Sequence, residues 1–281
     1  MKNIQEITIT PAFEFNSYRG KLISKNFSIL TKSVYTAINI NQDKRNDFYK
    51  KTYETIIKLS KVALTVDNYL KAEEEFLKEI YSYRNSHKKQ HKNSNANAFL
   101  PIEFSNYFEN YLSQTKSSLD LMVKILKPLY GINLPTYGKN GQNVINSLKN
   151  LNNPKLENLI HSIEEEEYWI KKIKKLRDDH HYKNSSCTPF KINGKNIKKP
   201  KIGRKYVANF IKDNYKNLFI FIRDFIVLAS MPKLKKNYNF TYLKNKQNKM
   251  DSIAFVMYKN NLALTKKVID KNCGLIVLGK A

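Results

Sequence analysis

Arg177, Asp178, His180 and His181 fall within five consecutive residues, closing a segment from Tyr168 to Tyr182 that also carries the only tryptophan, Trp169, and two of the five histidines. An imidazole titrates near neutral pH and moves protons to or from a reacting oxygen. A guanidinium presents a rigid fork of donors that braces charge on phosphate oxygens. Together they are a pair with which phosphodiester chemistry runs without a metal ion. At about 100° per residue, Arg177 falls on the helix side of Leu159, Ile163 and Ile170, and His181 follows one turn later. A charge on an apolar side needs a partner, which makes the position a buried ion pair, a subunit interface or a site. The plainer alternative has Arg177 bonded to Glu166, Asp178 or helix-end carbonyls, with His180 and His181 favoured there by the helix dipole. Lys171, Lys172, Lys174 and Lys175 precede the group. They would funnel backbone phosphates toward it, or form an ordinary solvated helix face.

A second Arg–His arrangement, Arg84, Asn85 and His91, follows the face of Leu77 and Ile80. A basic helix end running into an Asn/Ser loop also describes a solvated terminus, so this copy ranks second. His87 and His91 stand at i, i+4 without the acidic third ligand of a His-Glu-x-x-His helix, and no metal is expected. Gly138 to Gly141 is followed by no Lys-Ser or Lys-Thr, so no nucleotide-phosphate loop and no cofactor is expected. Cys187 lies in a Ser-rich loop with no helix N-terminus to lower its pKa, which argues against a nucleophile. Tyr81, Tyr168 and Phe210 sit at helical core spacing and are expected to pack rather than to stack on bases.

The run Leu176-Arg-Asp-Asp-His-His181 resembles the Arg-polar-spacer-His signature of the HEPN superfamily of α-helical ribonucleases and toxins, over roughly the middle two-thirds of the chain. The family leaves four to six residues between Arg and His. Here three separate Arg177 from His181 and two separate it from His180, whereas six separate Arg84 from His91. The resemblance implies a helical bundle with the motif at the end of a core helix and a long helix after it. It also implies a metal-independent endoribonuclease of toxin or antiviral-defence type. The RNA 2′-hydroxyl would attack its own phosphate, with His181 or His180 moving protons, Arg177 bracing charge and Asp178 orienting the pair. DNA would not be cut. A homodimer, and an antitoxin-like partner protein, are implied in the same way.

The charge balance points in a compatible direction. A net charge of +26, from 50 Lys+Arg against 24 Asp+Glu, repels itself and is most simply tolerated beside a polyanion. The arginines are few: Arg19, Arg45, Arg84, Arg177, Arg204 and Arg223. Bidentate Arg–guanine contacts are the commonest base-specific readout, so a lysine-dominated surface predicts backbone or shape recognition. A non-catalytic basic helical protein that binds nucleic-acid backbone, or an acidic protein, is the alternative function. Two cysteines, Cys187 and Cys273, make no disulfide framework, and the expected home is the reducing cytoplasm. The first residues carry charge where a secretory signal needs an apolar run, and Leu218 to Ala229 is interrupted by Arg223-Asp224, so no signal and no membrane span are expected.

The elements that must position these groups are mainly helical. Periodicity predicts helices from about Asp43 to Gln90 (one or a kinked pair), from Pro101 to Leu126, from Val144 to Leu151 and from Tyr206 to Leu228. Asn153-Pro154 caps the helix that leads to Arg177, with Glu166 and Glu167 marking a break in its apolar stripe. Phe190 to Ile197 surrounds an Asn-Gly pair and predicts a hairpin. Glu6 to Thr10, Ile253 to Tyr258 and Gly274 to Leu278 read as strands, the tail closing on the N-terminal one. The expected fold class is mainly α, a helical bundle with a small β hairpin and a short C-terminal β-like appendage. The expected divisions are an N-terminal strand and lead-in (1–42), the bundle (43–231) and the appendage (232–281).

Overall fold

A computed structural model describes residues 7–8, 17–86, 95–97, 102–138, 140–183, 187–193, 196–243, 250, 252–258 and 275–276. In chain order the elements are β1 (Ile7–Thr8), α1 (Tyr18–Ala37), α2 (Gln42–Ser86), β2 (Asn95–Asn97), α3 (Ile102–Met122), α4 (Leu126–Tyr130), α5 (Gln142–Lys149), α6 (Glu157–Glu165) and α7 (Glu167–Lys183). There follow β3 (Lys191–Asn193), β4 (Asn196–Lys198), β5 (Lys201–Ile202), β6 (Lys205–Tyr206), α8 (Val207–Ser230), β7 (Tyr238–Leu243), β8 (Ile253–Tyr258) and β9 (Leu275–Ile276). The chain is mainly helical with small antiparallel strand pairs, as expected.

α8 is the apolar axis. Phe210, Ile211, Leu218, Phe221, Ile222, Phe225 and Ile226 are all buried, and α2, α3 and α6 pack around it. α2 is one uninterrupted helix of 45 residues, about 68 Å long at 1.5 Å per residue, and it supports α1, α3 and α8. The break anticipated at Glu166 is present: α6 ends at Glu165 and α7 begins at Glu167. Asn153 caps the turn before α6 by accepting from the Lys155 N–H at 3.1 Å. The strands of the expected hairpin also pair antiparallel, with Asn193 opposite Asn196.

Residues 18–37 depart from the expected lead-in. They form α1, capped by the Ser17 hydroxyl, which accepts from the Gly20 N–H at 3.1 Å. Two of the polar side chains buried on this helix bond back along it: Asn26 donates to the Leu22 carbonyl and Ser33 to that of Leu30. β7 and β8 pair antiparallel from Tyr238↔Tyr258 to Leu243↔Ile253, and β8 lies against α1 with Ile253 to Val256 buried. Ser33 accepts from the Val256 N–H at 3.0 Å, and Asn26 donates to the Met250 carbonyl at 3.3 Å. One continuous apolar core therefore runs from Leu22 to Val256 across all three expected divisions. β1 pairs antiparallel with β9, the closure of tail on N-terminus that the strand pattern anticipates.

Candidate functional site

α7 presents Trp169, Ile170 and Ile173 to the core. Its first turn is tied down by Trp169, whose indole N–H donates to the Glu166 carboxylate, and burial raises the pKa of that carboxylate. Lys174 continues the buried stripe and is only 9% exposed. What covers it is the segment between α4 and α5. Asp120 on α3 accepts both the Tyr137 N–H at 3.0 Å and the Lys116 ammonium at 2.9 Å, fixing that segment against α3. Gly141, at φ +72°, completes the fit: a Cβ there would stand 2.7 Å from the Tyr137 hydroxyl oxygen and 2.8 Å from Ile163 Cγ2. The Tyr137 ring is thereby buried, and the Lys174 ammonium lies 5.0 Å from its centroid. Burial pulls the Lys174 pKa down from 10.5 to about 8; Asp120 opposes the shift, while Lys116 and Arg177 add to it.

Lys174, Asp120, Lys116 and Arg177 are among the groups that line one cleft of about 470 Å³. Its cations are Lys116, Lys171, Lys174, Lys175 and Arg177, its carboxylates Asp120, Asp178 and Asp179, with Thr136 and Gly138 between them. Five cations face three carboxylates, leaving an excess of positive charge in a concave, half-enclosed site. Such a charge balance gives the cleft a positive potential, which favours anions in general.

Arg177 is half-buried in the wall, with its side chain 28% exposed. Its Nε and Nη2 donate to a single oxygen of Asp178, at 3.1 and 2.6 Å. Of the partners weighed from sequence, Asp178 is the one that engages it. The Asp178 side chain is 55% exposed, and a pair this open to water contributes roughly 0–1 kcal/mol. Such a pair opens cheaply when a stronger anion arrives.

Of the residues singled out from sequence, the structure gathers Arg177, Asp178, Lys171, Lys174 and Lys175 around the cleft. Lys172 does not join them; its ammonium lies over the Phe210 ring, 5.4 Å from the centroid. The α7 backbone extends through His180 and His181, but their side chains lie outside the described residues, as do that of Arg84 and the whole of His87 and His91. Asn85 is exposed near the end of α2. Lys116, Asp120, Thr136 and Gly138 were not singled out in these roles. The Lys116–Asp120 spacing of four is the one local signal that pointed to them.

Two expectations are corrected. Tyr168 is 81% exposed and Tyr81 51% exposed, so neither packs into the core, whereas Phe210 does. Trp169 and Ile173, four apart, own the inward face of α7 and turn Tyr168 to solvent. Burial pushes the Cys187 thiol up to about 12, which leaves it un-ionised at neutral pH. Among the described residues no three His, Cys, Asp or Glu side chains are grouped to hold a metal ion. No helix among them is long and apolar enough to cross a membrane.

No protein-family model matches this chain, and neither the curated proteins nor the solved structures contain one found similar to it.

Proposed function

We propose that the protein binds RNA through its phosphodiester backbone, seated in the α7 cleft. The observation that carries this is the convergence of Lys171, Lys174, Lys175 and Arg177 from one helix, with Lys116 from α3, on a single concavity in a chain of net charge +26. Point-charge ammonium groups recognise phosphate without reading bases, so binding is sequence-tolerant and strongly salt-dependent. Four or five such contacts to a single strand give a slope of about −3 in log affinity against log salt. The test is fluorescence anisotropy with labelled RNA oligomers, titrating salt, on the wild type and on a Lys171→Ala/Lys175→Ala/Arg177→Ala variant. The variant should lose affinity and about two units of slope. Unchanged affinity and slope would discard the cleft as the RNA site.

A second reading has its own observation: Arg177 stands in the cleft wall one helical turn before His181 on α7, an Arg–His pair that resembles the HEPN ribonuclease motif at a spacing one residue short of that family's range. On this reading an RNA phosphate displaces Asp178 from Arg177, and His181 or His180 takes the 2′-hydroxyl proton. The oxygen attacks phosphorus, and the 5′-oxygen leaves as the hydroxyl with a proton returned to it. The products are a 2′,3′-cyclic phosphate and a free 5′-hydroxyl. A toxin or defence role, a homodimer that pairs two motifs, an antitoxin-like partner and a cytoplasmic site of action go with it. RNA incubated with the protein in excess EDTA should then be cut to cyclic-phosphate ends, and Arg177→Ala and His181→Ala should each abolish cutting while RNA remains bound. Intact RNA under all conditions, with binding retained, leaves the backbone-binding role alone.

A further inference from the structure

A separate surface, at the junction of α1 and α2, gathers aromatic rings that the core does not use. Tyr35 and Tyr49 meet edge to face, with centroids 5.7 Å apart at 76°, and Tyr49 stacks on Tyr53 at 6.4 Å and 12°. Tyr49 is exposed. With Lys32, Thr36 and Asn46, the first two rings line a pocket of about 510 Å³, ample for a nucleobase. We infer that this pocket is a base-stacking subsite for single-stranded RNA, distinct from the α7 cleft. The inference rests on the RNA-binding reading above and adds to it that unpaired bases, besides phosphates, are held.

Three features favour a base over a purely aliphatic occupant. Two rings at nearly a right angle make a corner, so a flat heterocycle laid on one presents its edge to the other. The polar chemistry is that of a base edge. Asn46 Oδ1 accepts from the Tyr35 hydroxyl at 2.8 Å and from Gln42 Nε2 at 3.0 Å, which fixes the amide with its NH2 turned to donate. No acceptor for that NH2 occurs among the described residues, and a base carbonyl such as that of uracil supplies one. Charge is placed to suit a polyanion: Lys32 stands in the wall, and the Arg45 guanidinium lies 5.7 Å from the centroid of the Tyr35 ring. Stacking of this kind on Tyr tolerates any sequence, as does the lysine-lined cleft.

The experiment compares labelled octauridylate with a base-free ribose-phosphate oligomer of the same length, by anisotropy at fixed salt. Wild-type protein should bind octauridylate about ten-fold more tightly, from one stacked base. Tyr49→Ala should erase the difference, while the Lys171→Ala/Lys175→Ala/Arg177→Ala variant weakens both oligomers and preserves it. Equal wild-type affinity for the two, or a preference that survives Tyr49→Ala, overturns the subsite and leaves backbone binding intact. If wild type binds neither oligomer, subsite and backbone reading fall together. Tyr49→Trp guards against a folding artefact, because the native Trp169 is buried. Its emission should be quenched by octauridylate and not by the base-free strand, and an emission unchanged by octauridylate also overturns the subsite.

Discussion

The dipeptide Arg-Asp occurs on α7 and again on α8, and its two copies have different fates. In both, the Arg Nε donates to the neighbouring Asp Oδ1, at 3.1 Å for Arg177–Asp178 and 2.9 Å for Arg223–Asp224. The Arg223 side chain is 6% exposed and also donates Nη1 to the Ser252 carbonyl at 3.0 Å, so it fastens the β8 end to α8. The Arg177 side chain is 28% exposed, and its Nε and Nη2 both donate to one oxygen of an exposed carboxylate. The same residues in the same order thus make a buried structural clamp in one place and a water-exposed ion pair on a cleft wall in the other. What separates them is the second acceptor and the exclusion of water, neither of which lies in the dipeptide itself.

The widest separation should come from stability. Arg223→Ala strands the Ser252 carbonyl and should cost about 3 kcal/mol, whereas Arg177→Ala should stay within about 0.5 kcal/mol, both read from urea unfolding midpoints. Equal losses would break the contrast. Lys174 gives the next effect. Its folded pKa of about 8 lies below the ordinary 10.5, so between about pH 8 and pH 10 the unfolded chain holds more protons and stability rises with pH. Below pH 8 both states are protonated and the penalty for burying the charge is present in full. Lys174→Met should therefore gain on the order of 1–2 kcal/mol at pH 7 and flatten that rise, checked by thermal unfolding across the window. Over the same interval the wild type should lose RNA affinity as the ammonium discharges. A smaller change, about five-fold, is expected in RNA affinity for Arg177→Ala, with the salt slope reduced by about 0.7. The smallest sharpens the comparison most: Asp178→Asn removes the competing carboxylate charge and should tighten RNA binding about two-fold. Weaker binding would mean that Asp178 holds Arg177 in its working geometry instead of masking it.

The long helices were legible because α2, α3 and α8 carry their apolar residues at three- and four-residue steps over many turns. α1 was not, and the reason lies in its buried face. Gly20, Asn26, Thr31 and Ser33 are buried beside Phe27, Leu30 and Val34, so hydropathy along the helix is broken by small and polar residues, of which Asn26 bonds to the helix backbone and Ser33 to that backbone and to β8. At the cleft, Lys171, Lys174, Lys175 and Arg177 were legible as a basic run, but the special position of Lys174 was not. A lysine on a charged helix reads as solvated. Its burial depends on Tyr137, placed through Asp120 and through the close approach of Gly141 to α6, which are contacts between elements distant in sequence. Tyr168 shows the converse error, since an aromatic at plausible core spacing was displaced outward by the larger claim of Trp169.

The bond between the Ser33 hydroxyl and the Val256 N–H spans 223 positions. At about 5–20 residues per second, a ribosome needs roughly ten to forty-five seconds to deliver the second partner after the first has emerged. During that wait one flank of α1 has no cover, although the helix itself is already long enough to form. The nascent chain must hold an apolar flank in readiness for a strand not yet translated, which makes this seam a place where an incomplete chain is exposed to aggregation.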